Sequence, residues 1–204
     1  MRATPACAAL SECLRNRRKP DVACLGRNPL LALSDCGHRS SDFGELSRAV
    51  IGHRAKLMLY FAYGSNMERF WFKKRCRGAK FVSAATLRDY DIAFARSSTM
   101  WGGGTADLKP TPGGVVEGVL WEIGEQDLKA LDQYEGVPKD YIPTTVTVET
   151  KDGKTLQAQA YIVAQPGDYR PPSRRYMRLL IQGAEEHDLS DAYVMRLESI
   201  KTSG

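Results

Sequence analysis

Hydrophobic and polar positions become regularly patterned in this chain only from about residue 57 onward. Residues 57–63 read as a buried strand, closed by the small polar run Gly64-Ser65-Asn66. Ser65-x-x-Glu68 has capping-box spacing, so a helix is expected to open there and run through "MERFWFKKR". Residues 79–96 are rich in aromatic and β-branched side chains and predict one or two strands. "WGGG" (101–104) reads as a flexible loop and "PTPGG" (110–114) as a second break.

The strand signal returns at "VVEGVLWEI" (115–123). A short helix follows in "GEQDLKALDQY", with Leu128 and Leu131 on one face. "TTVTVET" and "LQAQAYIV" alternate on either side of "KDGK" (151–154), and Asp-Gly between alternating runs is a hairpin signal. Two helices end the chain. Pro172 and Gly183 are the expected entry and exit of the first. Ser190 is the expected N-cap of the second, which turns Val194, Leu197 and Ile200 inward. Strands dominate the middle and helices the end, without βαβ regularity, which predicts an α+β fold with a mainly antiparallel, barrel-like sheet.

Charge divides the chain at the same place. Residues 1–57 carry ten Lys/Arg against five Asp/Glu, whereas residues 58–204 carry nineteen of each. The folded part therefore has no excess positive charge, which argues against nucleic-acid binding. Four of the five cysteines also lie in the first segment, while every Tyr and Trp lies at or beyond Tyr60. With Phe43 as its one aromatic, the segment has little to build a core around. Cys7, Cys13, Cys24 and Cys36 form no C-x₂₋₄-C pair that would seed a zinc site. An Arg-rich targeting peptide is a second reading, opposed by the five acids and the short apolar runs. The third is a disordered, dispensable extension (1–57) ahead of a working domain at 58–204, with Met58 just before the first strand. No run of 18 apolar residues is present, so no membrane-spanning helix is expected.

The inventory of reactive side chains excludes much. His187 is the one histidine beyond residue 57 and reads as a solvated residue of the turn "EEHD". A Ser-His-Asp triad or a His-built metal site is therefore not expected. Cys76 has cationic neighbours but no histidine partner, and reads as an ordinary thiol. The Gly64-Ser65-Asn66 turn admits two readings. It is either an ordinary capped turn or a backbone site for a carboxylate or oxyanion, with Gly64 allowing close approach. Glu135 likewise reads either as a surface residue at a helix end or as a partly desolvated carboxylate able to shuttle protons.

Together, "YFAYGSNM" (60–67), "GVLWEI" (118–123), "LDQYEG" (131–136) and "PPSRRYM" (171–177) resemble the γ-glutamylcyclotransferases, with the motifs in that family's order. The resemblance implies an α+β fold: a small mixed, mainly antiparallel β-barrel with flanking helices and a cavity at the Tyr-Gly-Ser-Asn turn. It also implies a cytoplasmic carbon–nitrogen lyase with neither cofactor nor metal, acting as a monomer or homodimer on a small-molecule γ-glutamyl substrate, without nucleic acid or membrane. Such an enzyme cyclises a γ-glutamyl amino acid to 5-oxoproline and releases the amino acid. The substrate-binding residues implied are Tyr60, Phe61, Ala62, Tyr63, Gly64, Ser65 and Tyr176, with Glu135 as the catalytic acid/base. A glutathione- or γ-glutamylamine-specific enzyme, or a non-catalytic binding module on the same fold, are the alternatives. Arg170, Arg174, Arg175 and Arg178 lie close to Tyr176 in sequence, either as solvated charge or as attraction for a carboxylate on the leaving group.

Overall fold

The structure, a computed structural model, describes residues 57–203. The expectation for the N-terminal extension thus lies, except for Leu57, outside the described residues. Five strands build the fold: β1 (Met58–Ala62), β2 (Lys80–Ser98), β3 (Gly103–Ile123), β4 (Tyr141–Thr150) and β5 (Thr155–Val163). Four helices accompany them: α1 (Arg69–Arg75), α2 (Glu125–Glu135), α3 (Arg174–Glu186) and α4 (Asp191–Glu198). The strands close into a barrel in the order β1-β3-β2-β4-β5. Every neighbouring pair is antiparallel except β1 and β5, which meet in parallel at Tyr60 and Gln159 and close the cylinder. The small, mixed, mainly antiparallel barrel expected from the sequence is what the chain forms.

The core is aromatic. Phe72 and Trp121 pack with ring centroids 4.7 Å apart, and Tyr60 stacks on Phe72 at 5.7 Å. Trp121 and Phe72 are both essentially inaccessible to water. Side chains of this size supply most of the apolar area that a small barrel can bury.

Four local expectations are corrected. First, residues 65–67 form a separate 3₁₀ turn, so α1 opens three residues later than the capping box suggested. Glu68 is itself the N-cap, its carboxylate accepting from the Phe70 N–H (3.0 Å) and the Trp71 N–H (2.8 Å). Second, "WGGG" and "PTPGG" are breaks only in part: Trp101 and Gly102 complete the turn between β2 and β3, but Gly103 and Gly104 pair with Ser98 and Ser97, and Pro110 pairs with Tyr90. The irregularity at 110–114 is a bulge. The register shifts between Arg88 and Tyr90, Gly113 adopts φ +75°, and its N–H donates to the Asp89 carboxylate at 2.9 Å.

Third, Gly183 lies inside α3, which runs on to Glu186. A Cβ at Gly183 would sit 2.7 Å from the backbone of Met67 and Glu68, so the residue permits α3 to press against the 3₁₀ turn. Fourth, His187 is buried rather than solvated, stacked on Phe81 (4.8 Å) and edge-on to Trp121 (5.2 Å). Burial, followed by the nearby Arg69 charge, lowers its pKa.

Candidate active site

Glu135 is the last residue of α2. Leu131, one turn earlier and fully buried, anchors the helix to the barrel. Gly136, at φ +67°, ends it in the left-handed conformation, its N–H turned back to the carbonyls of Asp132 and Gln133. The carboxylate is therefore held at a helix C-terminus, where the dipole disfavours negative charge. Its pKa is raised to about 7, chiefly by burial; the Asn66 hydrogen bond and then Arg75 and Arg96 oppose the shift.

Opposite stands the turn that follows β1. The Met67 N–H donates to the Gly64 carbonyl at 3.0 Å, which folds residues 65–67 beneath the strand end. Gly64 has an ordinary negative φ (−116°), so the turn itself does not demand glycine. The space does: a Cβ there would lie 3.2 Å from the Tyr176 hydroxyl and 3.3 Å from the Ala106 methyl. Asn66 is buried and links the two halves of the site. Its Nδ2 donates to Glu135 Oε1 and to the Tyr60 hydroxyl, both at 2.8 Å.

Five tyrosines, 60, 63, 141, 161 and 176, share this cavity wall with the turn, Ala106 and Glu135. Their hydroxyls are not equivalent. Tyr63 donates to the Tyr161 carbonyl, Tyr141 to Thr105 Oγ1 and the Ala106 carbonyl (3.0 Å each), and Tyr161 to Asp132 Oδ1 (2.6 Å). The Tyr60 and Tyr176 hydroxyls instead accept, from Asn66 and from the Ala106 N–H (3.0 Å). Each therefore keeps its own O–H to offer a ligand. Burial raises the pKa of all five, so they remain protonated donors at neutral pH.

The cavity has two parts. An inner chamber of about 30 Å³ lies among the tyrosines, the turn and Glu135. Ser65, Glu135, Tyr141 and Tyr176 also border an outer pocket of about 260 Å³, completed by Arg96, residues 97–101, Thr105 and Tyr134. The glycine-containing stretch "TMWGGGTADL" thus contributes Thr99, Met100, Trp101 and Thr105 to the pocket wall. The carboxylate stands where the two chambers meet. Such an arrangement can hold a small polar chain at its inner end and move protons at the junction.

The structure brings together Tyr60, Tyr63, Gly64, Ser65, Glu135 and Tyr176. It leaves Phe61 and Ala62 off the wall. Both are fully buried, and the Phe61 ring packs on Tyr63 (6.4 Å) instead. Of the arginines near Tyr176, Arg175 lies over the Trp101 ring at 5.0 Å and donates to the Met100 carbonyl. Arg174 and Arg178 border a separate surface groove with α4. Asn66, Ala106, Tyr141 and Tyr161 complete the wall and were not among the expected site residues. Asn66 lay within reach, one residue beyond the proposed segment. Tyr141 and Tyr161 begin and nearly end a hairpin, where inward-facing aromatics look like ordinary core. Cys76 is buried and its pKa is pushed up to about 12, mainly by burial, as suits an unreactive thiol. Among the described residues, no group of three or more His, Cys, Asp or Glu side chains could hold a metal ion. Likewise, no described helix is long and apolar enough to cross a membrane.

Comparison with known proteins places the chain in a family. The model of the AIG2-like family matches residues 115–197, a span that includes Glu135 and Tyr176. The chain is 37% identical over 150 residues to the γ-glutamylcyclotransferase of Bos taurus, covering 70% of this chain and 78% of that protein. It is 34% identical over 157 residues to the Homo sapiens γ-glutamylcyclotransferase, covering 74% and 83%. A solved γ-glutamyl cyclotransferase structure superposes with a TM-score of 0.70 at 32% identity, covering 72% of this chain and 90% of that one.

Proposed function

The chain belongs to the γ-glutamylcyclotransferase family and is a cyclotransferase; from that premise we propose that Glu135 carries out its proton transfers on γ-glutamyl amino acids. The observation that supports this reading is the Glu135 carboxylate itself, half-buried at the junction of the chambers with a pKa raised to about 7. A group of that proton affinity is present in both forms near neutral pH, as a shuttle requires.

The reaction needs two protons moved between nitrogens. The α-ammonium of the substrate gives one to Glu135, and the freed amine attacks the γ-carbonyl carbon. A C–N bond forms, and the carbonyl π electrons move onto oxygen. Glu135 delivers its proton to the amide nitrogen, the oxygen's electron pair restores the C=O as the original C–N bond breaks, and the ring nitrogen loses its second proton to the departing amine. The products are 5-oxoproline and the free amino acid. Because the attack closes a five-membered ring, holding the chain curled can contribute an effective molarity on the order of 10⁵ M or more.

In this reading the glutamyl end lies against Tyr60, Tyr63, Gly64 and Ser65. Backbone N–H groups at the turn meet its carboxylate or the developing oxyanion, and Tyr176 donates its spare hydrogen. The leaving group extends into the outer pocket. The test is incubation with γ-glutamyl-alanine, glutathione and γ-glutamyl-lysine, with 5-oxoproline detected. Glu135→Gln should abolish release from the preferred substrate while leaving its binding nearly intact. Substantial residual turnover would assign the proton transfers to another group.

A further inference from the structure

Among the described residues Glu135 receives one side-chain donor, the Asn66 amide, and that amide has two faces. With Nδ2 toward Glu135 it donates to the carboxylate and to Tyr60. Turned over, it would set Oδ1 against both and repel an ionised carboxylate. Asn66 cannot choose between these orientations alone. Arg75, the last residue of α1, resolves the choice: its Nη1 donates to Asn66 Oδ1 at 3.0 Å. A guanidinium has only donors, so it can face only the oxygen of the amide. Arg75 is itself held from α2, since its guanidinium carbon lies 3.8 Å from the ring centroid of Tyr134, the residue before Glu135.

We propose that Arg75 is a positioning residue for the reaction, locking the Asn66 amide with its NH₂ toward Glu135 and thereby holding the carboxylate ready to ionise. The proposal rests on Glu135 as the proton shuttle. Arg75 is not among the residues lining either chamber, so it acts through Asn66 and through its charge.

The other groups facing Glu135 leave this role to Arg75. Arg96, on β2, is paired with Asp140 at 2.6 Å, so much of its charge is already matched. The phenols of Tyr60 on β1, Tyr141 on β4, Tyr161 on β5 and Tyr176 on α3 stay neutral, because burial raises the pKa of each. The Cys76 thiol beside Arg75 is neutral for the same reason. Removing Arg75 therefore takes away one cation and frees the amide to turn, and both changes favour the protonated carboxyl.

The experiment measures kcat/KM for γ-glutamyl-alanine across pH 5–9 in the wild type, Arg75→Met and Arg75→Lys. The Glu135 carboxyl carbon is titrated by NMR in the same proteins, its signal identified by its loss in Glu135→Gln. In Arg75→Met the NMR midpoint and the acid limb should both move up by about one pH unit, so that kcat/KM falls about tenfold at pH 6 and about twofold or less at pH 9. Arg75→Lys keeps a charge and one donor, and should move both by about half as much. If Arg75→Met does not fold, the lysine variant carries the test. A midpoint unmoved in the folded variants, or a loss of activity uniform with pH, overturns the proposal. A midpoint that moves while the acid limb stays supports Arg75's hold on Glu135 and overturns Glu135 as the shuttle.

Discussion

Two carboxylates with raised pKa values stand in the described fold, one at the end of α2 beside the cavity and one on β3, hydrogen-bonded to the β5 backbone. Burial pushes both Glu135 and Asp107 upward. Their partners differ. Asp107 Oδ1 accepts from the backbone N–H groups of Leu108 (2.8 Å) and Val163 (2.9 Å), and the residue borders neither chamber. Glu135 accepts from one side-chain amide and faces open space on the other side. Desolvation alone therefore does not mark a reactive group. What separates the two is position: Asp107 is tied through Oδ1 to the backbone away from both chambers, whereas Glu135 lines both of them.

Substitutions at each site should separate the roles. Glu135→Gln removes the shuttle and should lower kcat by about 10³-fold or more, in the range general acid–base catalysis supplies. Its stability should move the other way. A carboxyl whose folded pKa exceeds its unfolded value costs stability above the folded pKa, and that cost fades as pH falls from about 7 toward 4.5. Glu135→Gln should therefore melt above the wild type at pH 8 and close to it at pH 4.5. An unchanged difference across that range would contradict the shift.

Asp107→Ala should do the reverse. It leaves two backbone N–H groups without their carboxylate, for a loss of about 2–5 kcal/mol by chemical denaturation, while kcat per folded molecule stays within about threefold. A large loss of turnover in folded protein would place Asp107 in the chemistry and erase the contrast.

The tyrosines allow a finer version of the same test. Tyr176→Phe removes an uncommitted O–H and should raise KM about tenfold, more than it lowers kcat. Tyr63→Phe removes an O–H already given to the Tyr161 carbonyl, and should cost stability with KM changed by less than about threefold. An unchanged KM in Tyr176→Phe would refute its binding role. The smallest effect is expected from starting the chain at Met58. We propose that residues 1–57 are dispensable, so folding and kcat/KM should match the full chain, and loss of either would contradict that.

Much of this architecture is legible from local pattern. β1, α2, the β4–β5 hairpin and α4 announce themselves through periodicity, Asp-Gly at the turn and Ser190 at the cap. The misreadings arise where distant residues decide. Gly183 resembles a helix exit because only the fold brings Met67 and Glu68 against it. "PTPGG" resembles a loop because its pairing with β2 is absorbed by a bulge around Asp89. His187 looked exposed because neither Phe81 nor Trp121 is near it in sequence. At the site, Glu135 and the turn after β1 are visible as a charged helix end and a broken apolar strand. The hydrogen-bond directions that distinguish Tyr176 from Tyr63, and the link from Arg75 through Asn66, exist only after folding.

The central claim is that Glu135 titrates as the shuttle, and the pH dependence of kcat/KM for γ-glutamyl-alanine tests it most directly. The account predicts an acid limb rising tenfold per pH unit and bending near pH 7, the value to which burial raises Glu135. A profile flat from pH 5 to pH 8, or one bending at the ordinary carboxylate pKa of about 4.3, would contradict it.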